Sequence, residues 1–194
     1  MPNGEPTATS PTLYVFWGMI ATGKSTLAAA WAAELRIRHY NSDVVRKQLA
    51  GLDPAARHQE AMERGLYSAE QTRRTYEELQ RLAAEELQAG RKVILDASYL
   101  QRWQRQPVVE LARRLGVEYF FIFCDCHDTV KQQRLARRAR DPAAVSDGRW
   151  EIYLGQRQKF EPATELPAAR CLNLDTERPV AELMAELQKA LTAG

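Results

Sequence analysis

The chain has 194 residues, of which 45% are hydrophobic and 27% are charged, and its formal net charge is +2. This length accommodates one α/β domain with a substantial core and excludes a second full domain. The nearly balanced charges give no overall attraction to nucleic acid or to an anionic membrane, and no apolar run reaches the ~20 residues of a membrane span. The N-terminus lacks the pattern of a signal peptide, so we expect a cytoplasmic protein with no membrane partner.

The N-terminal part of the chain predicts a tail, a strand and a helix, in that order. Residues 1–11 are rich in Pro and Thr and show no periodicity, which is typical of a disordered tail. Residues 12–194 are expected to form the single domain. Within it, the short apolar run Leu13–Trp17 is typical of a buried strand, and the alanine-rich run from about Lys24 to Arg36 predicts a helix.

A phosphate-binding loop lies between this strand and this helix. Its sequence GMIATGKST matches the G-x-x-x-x-G-K-S signature in the required strand–loop–helix context. The backbone N–H groups of such a loop and the N-terminus of the following helix bind phosphate oxygens. Lys24 is placed to reach the β- and γ-phosphates, and the Ser25 hydroxyl is placed to coordinate Mg²⁺. The predicted nucleotide-binding residues of the loop are Gly18, Met19, Ile20, Ala21, Thr22, Gly23, Lys24, Ser25 and Thr26.

A polar segment follows the second predicted strand, Arg38–Asn41. The sequence NSDVVR begins a helix that ends before Gly51, and Ser42 or Asp43 is expected to supply its cap. Asp43 and Arg46 are three residues apart, so they share one face of this helix. In a parallel α/β sheet this end of the strand opens into the ligand crevice, and the pair is expected to face the γ-phosphate. There a carboxylate can accept the proton of an attacking hydroxyl, and a guanidinium can hold an anionic acceptor or the transferring group.

The next predicted elements are a long helix and a strand that ends in an aspartate. Residues 52–65 predict a loop with a helical turn or two, and apolar residues at helical spacing predict a helix from about Ser68 to Ala89. The run Arg91–Asp96 is a basic pair, an apolar strand and a terminal aspartate, which is the Walker B form. A carboxylate at this place holds Mg²⁺ or one of its waters. Asp96 is therefore predicted to share the metal site with Ser25.

The cysteines do not indicate a structural zinc site. Leu100–Leu115 predicts an amphipathic helix and Val117–Cys124 a fourth strand, at whose end Cys124, Cys126 and His127 form a C-x-C-H cluster. A structural zinc site usually has four ligands, and the remaining cysteine and histidines show no paired spacing. Three cysteines are also too few for a disulfide scaffold, so we expect neither structural zinc nor disulfides.

Residues of about 129–160 predict a helical lid over a bound nucleotide. A basic helix over 129–140 is followed by a loop over 141–148 and by a helix from about Arg149 to Lys159. The basic helix has five cations and no acid, namely Lys131, Arg134, Arg137, Arg138 and Arg140. The alternative is a solubilising helix face, but uninterrupted cations repel one another and a bound triphosphate relieves that repulsion. Arg134 and Arg138 are four residues apart and share a face toward the nucleotide.

The C-terminal part predicts the fifth strand, a capped turn and the last helix. The strand is Cys171–Leu174 and the helix is Val180–Leu191. In nucleotide kinases the turn between them commonly lies against the adenine, which makes Thr176 and Arg178 candidate nucleotide-binding residues. Five strands that alternate with helices predict a parallel sheet with right-handed crossovers.

Four segments carry a resemblance to a known family. They are GMIATGKST, YNSDVVRKQLAGL, VILDASYL and QQRLARRARDPAAVSDGRWEIY. Over about residues 13–174 the chain resembles the small P-loop kinases of the predicted-kinase (AAA_33) group, which includes the 5′-kinase domain of phage-type polynucleotide kinases. The resemblance implies a P-loop NTPase three-layer α/β sandwich with sheet order 2-3-1-4-5 and a helical lid. It also implies that Asp43 is the general base, that Arg46 positions the acceptor's phosphate, and that Arg134 and Arg138 clamp the triphosphate.

These patterns predict a phosphotransferase that uses ATP and Mg²⁺ to phosphorylate a hydroxyl group. The leading acceptor is a polynucleotide or nucleotide 5′-hydroxyl, because an arginine such as Arg46 suits an acceptor that already carries phosphate. The balanced overall charge keeps a neutral small molecule, such as a sugar, an aminoglycoside or a nucleotide sugar, as the alternative. A hypothesis of another class is an ATP-binding sensor module without a separate acceptor, which would not need the Asp43 carboxylate beside the γ-phosphate.

Overall fold

The structure is a computed structural model that describes residues 10–53, 65–140 and 150–192. Its centre is a five-stranded parallel sheet with the order β2-β3-β1-β4-β5. The strands are β1 (Thr12–Trp17), β2 (Arg38–Asn41), β3 (Val93–Asp96), β4 (Glu118–Asp125) and β5 (Cys171–Asp175). Both the predicted parallel sheet and the strand order implied by the family resemblance are confirmed.

The helices of the described ranges end within two residues of their predicted positions. They are α1 (Lys24–Leu35), α2 (Ser42–Leu49), α3 (Ala69–Gln88), α4 (Arg102–Leu115), α5 (Asp128–Arg140), α6 (Trp150–Lys159) and α7 (Val180–Thr192). In these ranges, no helix combines the length and the apolar character that crossing a membrane requires. The tail predicted over 1–11 lies mostly outside the described residues, as do most of the loop predicted over 52–65 and the loop predicted over 141–148.

Helices cover both faces of the sheet and divide the core into two layers. Successive side chains of a strand point to opposite faces, and β1 is buried along its whole length. Leu13 and Val15 pack on the side of α3 and α4, whereas Tyr14 and Phe16 pack on the side of α1 and α7. This burial explains why the central strands appear in the sequence as short continuous apolar runs.

Asn41, the last residue of β2, caps the N-terminus of α2. The side chain of Asn41 accepts hydrogen bonds from the backbone N–H groups of Asp43, at 2.9 Å, and Val44, at 3.3 Å. The predicted cap at Ser42 or Asp43 is therefore wrong. Strand β2 leads into α2 without a loop, so the last strand residue has the extended conformation that a cap requires. The Asp43 carboxylate is not used for capping.

The carboxyl ends of the three strands β2, β3 and β1 meet at one edge of the sheet. Asp96 at the end of β3 is in register with Asn41 of β2 on one side and with Phe16 of β1 on the other. The phosphate-binding loop starts directly after β1, two residues beyond Phe16. The fold thus brings the predicted metal-site aspartate and the loop together.

Candidate active site

The phosphate-binding loop has a backbone that requires glycine at both ends. Gly18 and Gly23 have φ angles of 141° and 87°, which L-residues with side chains rarely adopt. A Cβ at Gly18 would overlap the carbonyl oxygen of Cys124, and a Cβ at Gly23 would lie 3.2 Å from Nη1 of Arg134. The two glycines of the signature are therefore needed for the close packing of the loop as well as for its turn.

Three successive loop residues are hydrogen-bonded by three different elements. The N–H of Ile20 donates to Oε1 of Gln156 on α6 at 2.7 Å. Nη1 of Arg134 on α5 donates to the carbonyl oxygen of Ala21 at 3.2 Å. The Thr176 hydroxyl, in the turn after β5, donates to the carbonyl oxygen of Thr22. These contacts hold the loop in its observed shape.

Asp96 lies at the centre of a polar cluster and is fully buried. Its Oδ2 accepts a hydrogen bond from Nδ2 of Asn41 at 2.6 Å, and Nε2 of His39 lies 3.2 Å from the same oxygen. Nδ2 of Asn41 is also 3.4 Å from the Ser25 hydroxyl. The other carboxylate oxygen, Oδ1, is buried and has no hydrogen-bond partner within the described residues.

This cluster fits a magnesium ion. Mg²⁺ prefers oxygen ligands, and it commonly binds one or two carboxylates or hydroxyls together with substrate phosphates. An orphaned buried carboxylate oxygen on Asp96 beside the Ser25 hydroxyl has this chemistry. Among the described residues, no three His, Cys, Asp or Glu side chains form a metal-binding group.

The charge of Asp96 is stabilised by its neighbours. Burial raises the pKa of this carboxyl, but the hydrogen bonds from His39 and Asn41 and the nearby positive charge, chiefly that of Lys24, together outweigh burial, and the pKa lies below its ordinary value. Asp96 is therefore ionised at neutral pH, as a metal ligand must be.

A cleft of about 1020 Å³ opens at this edge of the sheet. It is large enough for a nucleotide and a second small substrate, since sites for one small molecule occupy roughly 300–1,000 Å³. Lys24, Ser25, Asp43 and Arg138 all line it. Nζ of Lys24 lies 3.4 Å from the carbonyl oxygen of Met19, inside the curve of the loop.

The far end of the cleft combines a buried cation with exposed aromatic rings. Arg46 is only 6% exposed, and its Nη1 donates to the carbonyl oxygen of Leu66 and to the Thr72 hydroxyl, both at 3.3 Å. Within the described residues its Nε has no hydrogen-bond partner, and none of the ion pairs there includes Arg46. Tyr67 and Trp103 line the same end with 40% and 43% of their surfaces exposed. A buried guanidinium that pairs with no carboxylate there suits an anionic ligand.

The sequence model of the AAA_33 family, described as an AAA domain, matches residues 13–163. The chain belongs to this family. The match confirms the AAA_33 part of the resemblance, and the finer similarity to polynucleotide kinases stays a prediction. A comparison with curated proteins finds no match.

Solved structures share the fold of this AAA_33 domain over nearly its whole length. A gluconokinase from Sinorhizobium meliloti 1021 is 18% identical with a TM-score of 0.62, over 94% of this chain and 92% of its own. The APS kinase of Mycobacterium tuberculosis, solved in complex with AMPPNP and APS, is 19% identical with a TM-score of 0.64, over 94% and 98%. A shikimate kinase from Aquifex aeolicus is 17% identical with a TM-score of 0.61, over 93% and 96%. At these identities the similarity establishes the fold.

The predicted arginines of the AAA_33 domain occupy different places. Arg138 lines the cleft, where burial and the charge of Arg134 lower its pKa while the carboxylates of Asp43 and Asp96 oppose that shift. Arg134 instead donates hydrogen bonds to the carbonyl oxygens of Ala21 and Thr176 and to the Cys126 sulfur. Its guanidinium therefore binds groups of the protein rather than facing the cleft. It does not line the cleft.

The other predicted nucleotide-binding residues divide between the cleft lining and its surroundings. Ile20, Ala21 and Gly23 of the loop line the cleft. The lining does not include Gly18, Met19, Thr22, Thr26, Thr176 and Arg178. Thr176 is buried beneath the phosphate-binding loop. Arg178 pairs with Glu182 and Glu186 of its own helix, α7. Thr26 is an exposed residue in the first turn of α1. The structure therefore brings Lys24, Ser25, Asp43, Arg46 and Arg138 to one cleft, with Asp96 buried at its base, and leaves Thr26, Arg134, Thr176 and Arg178 apart from it.

Three polar residues of the site were not predicted from the sequence. Asn41 was assigned to the end of a strand, although it belongs to the NSDVVR segment that was singled out. His39 is two residues earlier on the same strand, and alternation along β2 is the signal that places both side chains on one face. Gln156 has no local signal, because the loop residue that it contacts is 136 positions away.

Proposed function

We propose that this AAA_33 domain is an ATP- and Mg²⁺-dependent kinase that transfers the γ-phosphoryl group to a hydroxyl. One observation carries the proposal: the Asn41 side chain contacts both Ser25 and Asp96 and also caps α2, the helix that bears Asp43. The candidate metal ligands and the candidate base are thereby held in a fixed relation at one cleft. A sensor module that only binds ATP has no need for a carboxylate there.

The proposed chemistry assigns a separate task to each of these side chains. Asp43 accepts the proton of the acceptor hydroxyl. At the same time the hydroxyl oxygen bonds to the γ-phosphorus, and the bond from that phosphorus to ADP breaks. Lys24 and Arg138 stabilise the charge on the transferring group. Ser25 and Asp96 would hold Mg²⁺, which would supply positive charge to neutralise phosphate oxygens. Residues 12–194 act as one catalytic unit, in which α5 and α6 form the lid.

The leading acceptor is a polynucleotide or nucleotide 5′-hydroxyl. The buried Arg46 guanidinium supports an acceptor that already carries negative charge, and the exposed rings of Tyr67 and Trp103 support one with a planar group. The second candidate is a small hydroxylated molecule. Its support is that the chain shares its fold with proteins named as gluconokinase and shikimate kinase.

A labelled-phosphate assay tests the activity and ranks the acceptors. The protein is incubated with [γ-³²P]ATP and Mg²⁺ and with 5′-hydroxyl oligonucleotides, nucleoside 3′-phosphates, nucleosides, gluconate or neutral sugars. We expect labelled product with the parent and none with Asp43→Ala, while ATP affinity stays within a few fold. Saturation that weakens steeply with salt identifies an oligonucleotide acceptor. If the parent binds ATP but labels no acceptor, the kinase proposal fails in favour of the sensor.

A further inference from the structure

Gln156 joins the lid to the phosphate-binding loop. It lies on α6, lines the cleft, and accepts the hydrogen bond from the N–H of Ile20 at 2.7 Å. Around this contact, Ile20, Ala21, Leu135 and Tyr153 form a buried apolar cluster. Both α5 and α6 therefore pack directly against the first half of the loop. Gln156 is the polar contact that α6 makes at this junction, and Arg134 makes one from α5 to Ala21.

The hydrogen bond from Ile20 fixes the orientation of the Gln156 amide. Its oxygen accepts from the loop, so its other end is an NH₂ group, which only donates. Within the described residues, no hydrogen bond from Nε2 of Gln156 is present. A cleft-lining donor that has no protein acceptor there is a natural partner for a ligand oxygen.

Gln156 lines the same cleft as Lys24, the residue that is expected to reach the terminal phosphates of the nucleotide. In phosphate-binding loops the lysine reaches the β- and γ-phosphates. Nζ of Lys24 lies 3.4 Å from the carbonyl oxygen of Met19, and the N–H held by Gln156 belongs to the next residue, Ile20. Gln156 and Lys24 therefore bond to the two ends of one peptide group, Met19–Ile20, and both residues line the cleft.

We propose that Gln156 is a further nucleotide-contacting residue: its Nε2 donates to an oxygen of the γ-phosphate while its Oε1 keeps α6 on the loop. This inference rests on the proposed function, since it assigns the triphosphate to this cleft. A neutral amide adds a directed donor without adding a charge next to Lys24 and Arg138. The lid thereby distinguishes ATP from ADP, because ADP lacks the phosphate that Gln156 contacts.

Two substitutions separate the contact with the loop from the contact with phosphate. Gln156→Glu keeps an oxygen that can accept from Ile20 but replaces the NH₂ donors with a negative charge. Gln156→Ala removes both contacts. Gln158→Ala is the matched control, because Gln158 is an exposed residue of the same helix that does not line the cleft.

Affinities for AMPPNP and ADP are measured by calorimetry with Mg²⁺ present, and thermal melts establish that each variant is folded. A hydrogen bond to a charged group predicts that both Gln156 variants bind AMPPNP about 10- to 100-fold more weakly. For Gln156→Glu, ADP affinity is expected to stay within about threefold of the parent. Gln158→Ala is expected to bind both nucleotides like the parent.

Equal weakening of AMPPNP and ADP in both variants would show that Gln156 only braces the loop, and the inference would be overturned. Parent-like AMPPNP affinity in Gln156→Glu would overturn it as well. Because the readout is binding, it is independent of phosphoryl transfer. A selective loss of AMPPNP affinity in a protein that phosphorylates no acceptor would support the inference while the proposed kinase activity fails.

Discussion

The substitution Asp43→Asn removes the proposed base with little disturbance of the structure. A positioned general base contributes about 100- to 10,000-fold to rate, which equals roughly 2.7–5.4 kcal/mol of transition-state free energy. The cap of α2 is the Asn41 side chain, so the Asp43 carboxylate contributes to the helix only as an acid in its first turn. Loss of that interaction with the helix dipole costs about 0.3–1 kcal/mol. We therefore expect the rate constant of phosphoryl transfer to fall by about 100- to 10,000-fold while the free energy of unfolding changes little.

Single-turnover transfer from [γ-³²P]ATP measures the rate constant, and urea denaturation measures the free energy of unfolding. Asn41→Ala is the contrasting variant, because it removes the cap as well as the contacts to Ser25 and Asp96. It should lower the free energy of unfolding by about 0.5–2 kcal/mol from the cap alone. An Asp43→Asn protein whose rate constant stays within threefold of the parent would refute the role of Asp43 as the base.

Three further predictions follow from buried charges. Asp96→Asn should raise the Mg²⁺ concentration for half-maximal activity by about 10-fold or more, as measured by titration at fixed ATP; an unchanged midpoint would remove Asp96 from the metal site. Arg105→Met leaves the carboxylate of Glu165 without its partner, since Oε1 of Glu165 lies 2.6 Å from Nε of Arg105. The substitution should lower the free energy of unfolding, measured in urea, by about 3–5 kcal/mol, and a loss below about 1 kcal/mol would contradict this. Burial raises the pKa of Glu165, but the hydrogen bond and charge of Arg105, a backbone hydrogen bond and the charge of Arg102 together hold the pKa below the ordinary 4.5. The Arg105–Glu165 pair therefore stabilises the fold above about pH 4.5, and this stabilisation is lost as the pH falls. Glu165→Gln should make the free energy of unfolding less dependent on pH in the acid range. An unchanged pH dependence would show that the pair does not contribute to stability.

The positions of the strands and helices were predictable from the sequence pattern, whereas the order of the strands in the sheet was not. Short apolar runs such as Leu13–Trp17 identified the buried central strands, because a strand covered on both faces has no polar side. Helix positions followed from apolar spacing, as for the helix predicted from about Ser68 to Ala89, which the structure has over Ala69–Gln88. The strand order required the family resemblance, since periodicity along a chain does not specify which strands are neighbours.

The candidate site was predictable where its residues belong to local motifs. Lys24, Ser25 and Asp96 follow from the phosphate-binding loop and the Walker B strand, and the structure places all three at one sheet edge. The hydrogen bonds of Arg134 to the loop and the contact of Gln156 with Ile20 were not predictable. Both join residues more than 100 positions apart, and their geometry depends on how the lid packs rather than on any short-range pattern.

The most direct test of the account is a crystal structure of the protein with AMPPNP and Mg²⁺. The account predicts the triphosphate along the N–H groups of the phosphate-binding loop, Mg²⁺ at Ser25 with Asp96 behind it, and the Asp43 carboxylate facing the γ-phosphate across the cleft. A nucleotide bound elsewhere, or an Asp43 side chain turned into solvent and screened from the γ-phosphate, would contradict it.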